Sequence, residues 1–239
     1  MKKNWLLIVL LGTIVVFCVF GFAFGNQAEQ YVSDRDFLVE QTNNGNSVWI
    51  KRYIGSKTDV NIPPQIKNLP VIFIKAEAFK NKDLVTVTIP DSVTEIGMHS
   101  FANNNIENVI IPNNVSVIDN FAFSNNKLTD LIISDSVTYI GEEAFRFNQL
   151  TNLVIGRNVI NIKEKAFQNN LLTSIIIPDS VTIIGMNAFA DNQLNSITIG
   201  NNVQMEFGAF GNNNFVQFYQ DQGSSAGLYT YRNNQWNKM

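Results

Sequence analysis

The sequence predicts a solenoid of right-handed stacked coils with parallel β-strands, short helical turns and a hairpin cap at each end. The first observation is a repeat of phenylalanine every 22 residues, with a last step of 21, at Phe79, Phe101, Phe123, Phe145, Phe167, Phe189 and Phe210. The second is that the surrounding phrase recurs, as in LTDLIISDSVTYIGEEAFRFN and LTSIIIPDSVTIIGMNAFADN. A unit this short cannot bury its own apolar face, so neighbouring coils must cover one another.

Each coil opens with a strand of the form L-x-x-L-x-I, for example Leu128, Leu131 and Ile133. Strands of one residue type stacked in register are expected to form a parallel sheet with about 4.8 Å between coils. A turn, a second short apolar pair and a compact Ala-Phe turn complete the coil. The same pattern predicts a final strand at Phe215 and Phe218, so the array is expected to span residues 60–220 in coils of about 22 residues.

Two columns of residues inside the coils are predicted to be structural. A small residue precedes every phenylalanine of the repeat, which leaves room for a large ring in a densely packed interior. Asparagine stands three residues after six of the rings, where its amide can bond backbone groups that the turn leaves unpaired. These positions are Asn104, Asn126, Asn148, Asn170, Asn192 and Asn213.

The array is flanked at both ends by segments that do not match the repeat. Residues 26–59 contain alternating apolar residues around the turn 43–46, which predicts a hairpin that caps the first coil. Residues 221–239 contain a second alternating stretch, from Leu228 to Trp236. We expect it to form a hairpin over the last coil, because the open ends of a solenoid need a cover.

The first 25 residues read as a secretory signal. Lys2 and Lys3 precede an apolar run over residues 5–24, and Ala23 and Gly25 are the small residues of a cut before Asn26. A run of this length also suits a membrane span, so a retained anchor stays open as the alternative. Both alternatives place the repeats outside the cytoplasm, with membrane contact only through this segment if it is uncleaved.

The strand pattern, the IPDSVTxIG phrase of residues 89–97 and the following Ala-Phe-x-x-Asn closely resemble BspA-like leucine-rich repeats of bacterial surface proteins. The resemblance covers about residues 60–220. It implies a leucine-rich-repeat solenoid, export from the cell, and attachment to host matrix proteins or to other cells as extracellular protein partners.

The chain offers few groups for catalysis. His99 is the only histidine, and the equivalent positions of other coils hold unrelated residues, whereas triads and zinc sites need several converging groups. Asp91, Asp135 and Asp179 recur only in alternate coils, about 9–10 Å apart, and suit turns better than a shared metal. With 15% charged residues and a net charge of −3, nucleic-acid binding is not expected either. We predict no enzyme activity, metal or cofactor.

The outward strand positions carry the candidate binding site. Residues that flank the central apolar residue of each strand point away from the core. One column is apolar and β-branched, and is called the ridge: Ile110, Ile132, Val154 and Ile176. The other is the polar row: Asn108, Asp130, Asn152 and Ser174. β-Branched residues favour strands in any case, but contiguous apolar patches rimmed by polar groups also mark interfaces.

Three classes of function are consistent with such a chain. An exported or cell-surface module that mediates protein–protein attachment, as an adhesin does, is the favoured prediction. A non-catalytic structural spacer of the cell envelope is the alternative. An enzyme is disfavoured, because no set of titratable groups converges.

Overall fold

The computed structural model describes residues 33–211 and 214–239, and the backbone of two short strands near the N-terminus. These strands, β1 (Ile8–Leu10) and β2 (Thr13–Val15), pair antiparallel within the first compact unit, residues 1–30. The rest of the predicted signal or anchor segment lies outside the described residues. Among the helices that are described, none is long and apolar enough to cross a membrane.

The second compact unit, residues 31–239, is a solenoid of short strands joined by turns. It opens with a 3-10 turn, Asp34–Asp36, and its elements follow in chain order. They are β3 (Phe37–Gln41), β4 (Val48–Tyr53), β5 (Asp59–Asn61), β6 (Gln65–Ile66), β7 (Leu69–Ile74), β8 (Thr86–Thr88), β9 (Glu95–Ile96), β10 (Val117–Ile118), β11 (Asp130–Ile132), β12 (Tyr139–Ile140), β13 (Asn152–Val154), β14 (Asn161–Ile162), β15 (Ser174–Ile176), β16 (Ile183–Ile184), β17 (Ser196–Ile199), β18 (Gln204–Met205), α1 (Phe215–Asp221), β19 (Gly227–Arg232) and β20 (Gln235–Lys238).

The longest sheet is built from the second apolar pair of each coil. Its order is β18-β16-β14-β12-β10-β9-β7-β4-β3, with β6 beside β7 as the tenth strand. From β4 to β18 the neighbours on this path are parallel, and successive coils keep register, as Ile96, Ile118 and Ile140 do. One residue of each of these two-residue strands turns inward, and from β9 to β16 it is buried, whereas Met205 of β18 is partly buried. This continuous sheet was not predicted, since the sequence marks each strand with only two residues.

The L-x-x-L-x-I strands pair parallel, as predicted, but in shorter pieces. β5 pairs with β8, β11 with β13, and β15 with β17. In the coil between β8 and β11 a single bridge joins Thr86 to Asn108. Val109 and Ile111 in that coil are nevertheless buried. The inward and outward alternation therefore continues where the hydrogen-bonded ladder is interrupted.

The repeated phenylalanines form one stack of rings through the core. All seven are at most 3% exposed, and successive centroids lie 4.9–5.5 Å apart with planes 2–15° from parallel. Tyr53 of the N-terminal hairpin extends the stack, 5.4 Å from Phe79. Phe215 closes it edge-on, 5.0 Å from Phe210. The end segments thus cover both ends of the stack.

The asparagines form hydrogen bonds between neighbouring coils, and this set of bonds is called the amide ladder. The Asn126 Nδ2 donates to the carbonyls of Phe101 (2.9 Å) and Phe123 (3.1 Å), and its Oδ1 accepts from the N–H of Ile106 (3.1 Å). The same three bonds recur at Asn104, Asn148, Asn170 and Asn192. Buried backbone groups of the turns therefore find a partner in the next coil. Asn213 lies outside the described residues.

The end of the array differs from the prediction. Phe215 and Phe218 do not open a strand, because they belong to α1. Phe215 and Tyr219 are four residues apart, so a helix places both on one buried face. The repeat strands therefore end at β18. The compact Ala-Phe segments are turns, and α1 is the single α-helix in the part of the chain that is described.

Both predicted hairpins are present. β3 and β4 pair antiparallel at the N-terminal end and join the ten-stranded sheet through β7. β19 and β20 pair antiparallel at the C-terminal end, and β19 pairs antiparallel with β17. The C-terminal hairpin thus extends the sheet of L-x-x-L-x-I strands by two.

Candidate protein-binding surface

The ridge lies on the outer face of the L-x-x-L-x-I strands. Its exposed fractions are 83% for Ile110, 56% for Ile132, 40% for Val154 and 53% for Ile176. The parallel register of β11 and β13 sets Ile132 directly beside Val154. The next residue along each strand, such as Ile133 or Ile155, is buried. Alternation along the strand therefore exposes one apolar side chain in each of four coils.

The polar row runs beside the ridge and is partly tied together. The Asn152 Nδ2 donates to Asp130 Oδ1 at 2.7 Å, and the Thr129 hydroxyl donates to Asp130 Oδ2 at 2.8 Å. Asn108 and Ser174 are exposed. The row is therefore hydrated and fixed at its centre, and the ridge is the part of this face that loses most contact with water when covered.

The ridge is extended by one residue, Leu228, that was not predicted from the sequence. β19 pairs with β17 so that Leu228 lies opposite Thr198, the residue that follows Ile176 in the outward column. Leu228 is 40% exposed. It comes from the C-terminal hairpin, which carries no repeat signal, so no spacing rule points to it. The apolar surface thus resumes beyond Thr198.

A second surface lies on the turns that precede and follow the buried rings. His99 stacks on Phe121 with 4.4 Å between ring centroids, and Phe147 is 46% exposed. Burial lowers the pKa of His99, and the charge of Lys80 lowers it further, which favours the neutral ring. Sequence reasoning placed His99 on a turn but did not single out the two phenylalanines. Their departure from the polar types of neighbouring coils was the available signal.

Several charged groups of the surface pair between or within coils. The Arg157 side chain donates to Asp135 Oδ2 at 2.6 Å and holds the pKa of that carboxyl below its usual value. The Lys75 ammonium likewise lies 2.7 Å from Glu40 and lowers its pKa. Among residues 33–211 and 214–239 no three His, Cys, Asp or Glu side chains gather as a metal site would require.

Comparison with protein families identifies the repeat. The model of the BspA type leucine rich repeat region matches six copies, over residues 72–195 and 161–235. Among curated proteins, none matches the sequence.

Solved structures share the fold. A leucine rich cell surface protein from Faecalibacterium prausnitzii aligns with 24% identity and a TM-score of 0.54, covering 90% of this chain and 59% of its own. The T. pallidum leucine rich repeat protein TpLRR aligns with 22% identity and a TM-score of 0.52, over 68% of this chain and 89% of its own. The pneumococcal vaccine antigen PcpA aligns with 21% identity and a TM-score of 0.55, over 69% and 50%.

The chain thus spans 59% of the Faecalibacterium protein and half of PcpA. At these identities the likeness is one of fold, while the family match covers most of the chain. The family is assigned from the six repeat copies, and the stacked rings and the amide ladder agree with it. The chain belongs to the BspA-type leucine-rich-repeat family.

Proposed function

We propose that this protein is an exported or cell-surface module that attaches to an extracellular protein through the ridge. The observation that carries the proposal is the row of four β-branched side chains, exposed by 40–83%, in consecutive coils. Contiguous exposed apolar patches that are rimmed by polar groups often mark protein–protein interfaces. The polar row beside it supplies the hydrated rim that interfaces usually have.

The family match and the N-terminal sequence support the location. The resemblance to BspA-like repeats implies export, and residues 1–25 carry the pattern of a secretory signal. The Faecalibacterium protein that shares the fold is described as a cell surface protein. Attachment to a matrix protein or to another cell is the corresponding role here.

A structural spacer is the competing function, and one observation favours it. The ring stack runs without a break from Tyr53 to Phe210, and the amide ladder accompanies it through five coils. Such an array is rigid along its length whether or not its outer face binds anything. The ridge therefore decides between the two functions.

The experiment compares the full-length chain with the double variant I132K/V154K in binding to matrix proteins and to intact host cells. Both side chains point outward, so the variant should keep the fold, checked by circular dichroism and melting midpoint. Central apolar residues usually dominate an interface, and we expect binding at least about a hundredfold weaker.

The matched control is T138K/T182K, which adds the same charge at two exposed positions near β12 and β16. It should bind as wild type does, and N152A in the polar row should have a small effect. Binding that survives I132K/V154K undiminished contradicts the proposal. A wild-type protein that binds neither matrix proteins nor host cells, but spans and orders the cell envelope, would be a spacer.

A further inference from the structure

In the six coils whose rings run from Phe79 to Phe189, the backbone is left-handed two residues after the buried ring. Five of these six positions hold Asn or Asp, the types that tolerate this conformation: Asn81, Asn103, Asn125, Asn169 and Asp191. The sixth is Phe147, with φ of 55°. Because its ring is 46% exposed, burial in the core does not explain the exception.

A second aromatic exception stands in the preceding coil. Phe121 occupies the left-handed position two residues before a ring, with φ of 58°. The same position holds Glu143 and Lys165 in the next two coils. Bulky residues held in unfavourable backbone conformations concentrate at sites that bind ligands. Two of them in consecutive coils therefore point to one site.

Phe121 and Phe147 line the same open groove, here called the Phe147 groove. Its volume is about 500 Å³, and His99, Asn103 and Asn125 also line it. A neighbouring groove of about 540 Å³ shares Asn103, Asn125 and Phe147 and continues along further asparagines. Each volume falls in the range of small-ligand sites, about 300–1,000 Å³. The aromatic and the amide-rich parts meet at Phe147.

The ring of Phe147 is held in place by its own coil. The Arg146 guanidinium lies 4.3 Å from the ring centroid and donates to Glu143 Oε2 at 2.8 Å. Lys80, which lines the groove, donates to Glu77 Oε1 at 2.6 Å. The charged groups of the groove are thus already paired within the chain. A neutral ligand suits it better than an ionic one.

The amides of the groove have hydrogen-bonding capacity to spare. The Asn125 Nδ2 donates to Asn103 Oδ1 at 3.0 Å. In the described part of the chain, neither the amino group of Asn103 nor the Asn125 Oδ1 has a further partner. The groove therefore offers a donor and an acceptor side by side, next to the exposed ring of Phe147 and the half-buried ring of Phe121.

We propose that the Phe147 groove binds a neutral oligosaccharide. A sugar ring presents C–H groups on its faces, which suit the negative face of an aromatic ring. Its hydroxyls are both donors and acceptors, as the free groups of Asn103 and Asn125 require. An unmodified peptide is the other ligand for an aromatic groove, but it presents fewer hydroxyl groups to these amides. The site uses the turns and is independent of the ridge.

The test is binding of the full-length protein to an array of neutral and acidic oligosaccharides, with the protein clustered to raise avidity. Bound glycans are then titrated by calorimetry against wild type and F147N. This change installs the residue of the neighbouring coils, so the melting midpoint should be unchanged or higher. F207N is the matched control, because it removes a ring that is 80% exposed and outside the groove.

We expect wild type to bind neutral glycans, F147N to bind them at least about tenfold more weakly, and F207N to match wild type. F121N and N103A should also weaken binding, and they keep the test valid if F147N folds poorly. I132K/V154K should not change it, which separates this site from the ridge. Failure of wild type to bind any glycan, equal binding by F147N, or F147N-sensitive binding of peptides alone would overturn the proposal.

Discussion

The inside and the outside of the coils follow different rules. Inside, every coil places phenylalanine at the same position, and five described coils place asparagine three residues later. Outside, the left-handed position before the ring changes from coil to coil, through Glu, His, Phe, Glu, Lys, Asn and Gly. The same backbone therefore tolerates variety on one side and not on the other.

The difference lies in what satisfies each group. A buried ring can pack, and a buried amide can hydrogen-bond, only with the coil before and the coil after. The same residue type therefore recurs along the whole column. An exposed side chain is satisfied by water, and its identity is free to serve recognition. A change inside should therefore destabilise three coils, while a change outside should alter stability little.

The largest expected effect is at the centre of the ring stack. Phe145 lies 5.5 Å from Phe123 and 5.4 Å from Phe167, and it is fully buried. Replacement with Ala removes contacts with both neighbours and leaves a cavity. We expect a loss of about 3–5 kcal/mol in the free energy of unfolding, measured by denaturant titration.

Phe207 provides the comparison for this prediction. It is also a phenylalanine of the array but is 80% exposed, and F207A should change stability by less than about 0.5 kcal/mol. A denaturation midpoint for F145A equal to that of wild type would contradict the account of the stack as a shared core.

The next effect is at the amide ladder. The Asn148 Nδ2 donates to the carbonyls of Phe123 and Phe145 at 3.0 and 3.1 Å, and Leu128 N–H donates to its Oδ1. N148A leaves the buried Leu128 N–H without this partner and removes one of the two amide donors to each carbonyl, so we expect a loss of about 2–3 kcal/mol. N152A, on the exposed polar row, should cost less than about 0.5 kcal/mol. Equal costs for the two variants would show that the ladder is not what joins the coils.

The inner columns were predictable because a repeat samples one environment many times. The buried ring stack and the asparagine bonds followed from the recurrence of Phe and Asn alone. The residues that end the stack, Tyr53 and Phe215, were not predicted, because each occurs once and its packing depends on a distant coil. Phe215 also shows the limit of extrapolating a period, since the helical spacing to Tyr219 decides its environment.

The sheets were predicted less well than the core. The strands of the second apolar pair join the N-terminal hairpin in a continuous ten-stranded sheet, whereas the longer L-x-x-L-x-I pattern forms separate pieces. An apolar pattern reports which side chains face inward, but not whether the backbone between them completes a ladder. The ridge followed from alternation. Phe147 and Leu228 were not predicted. The position of Phe147 depends on the conformation of its turn, and that of Leu228 on the pairing of a strand outside the repeat.

The smallest expected effect is at an exposed contact between coils, Asp135 and Arg157. The Arg157 side chain and its backbone N–H both donate to the Asp135 carboxylate, which lowers the pKa of Asp135. A lowered pKa contributes stability above the pKa of unfolded aspartate, about 3.9, and this contribution is lost as the pH falls through the folded value.

R157Q should raise the pKa of Asp135 only part of the way toward its unfolded value, because the backbone N–H still donates. Wild type should be slightly more stable than R157Q at pH 7, and the difference should vanish in acid and shrink in high salt. Carboxyl chemical shifts across the titration measure the pKa in both proteins. Identical titration curves would mean that this outer pair contributes nothing, whereas a stability loss as large as that of N148A would erase the distinction between inside and outside.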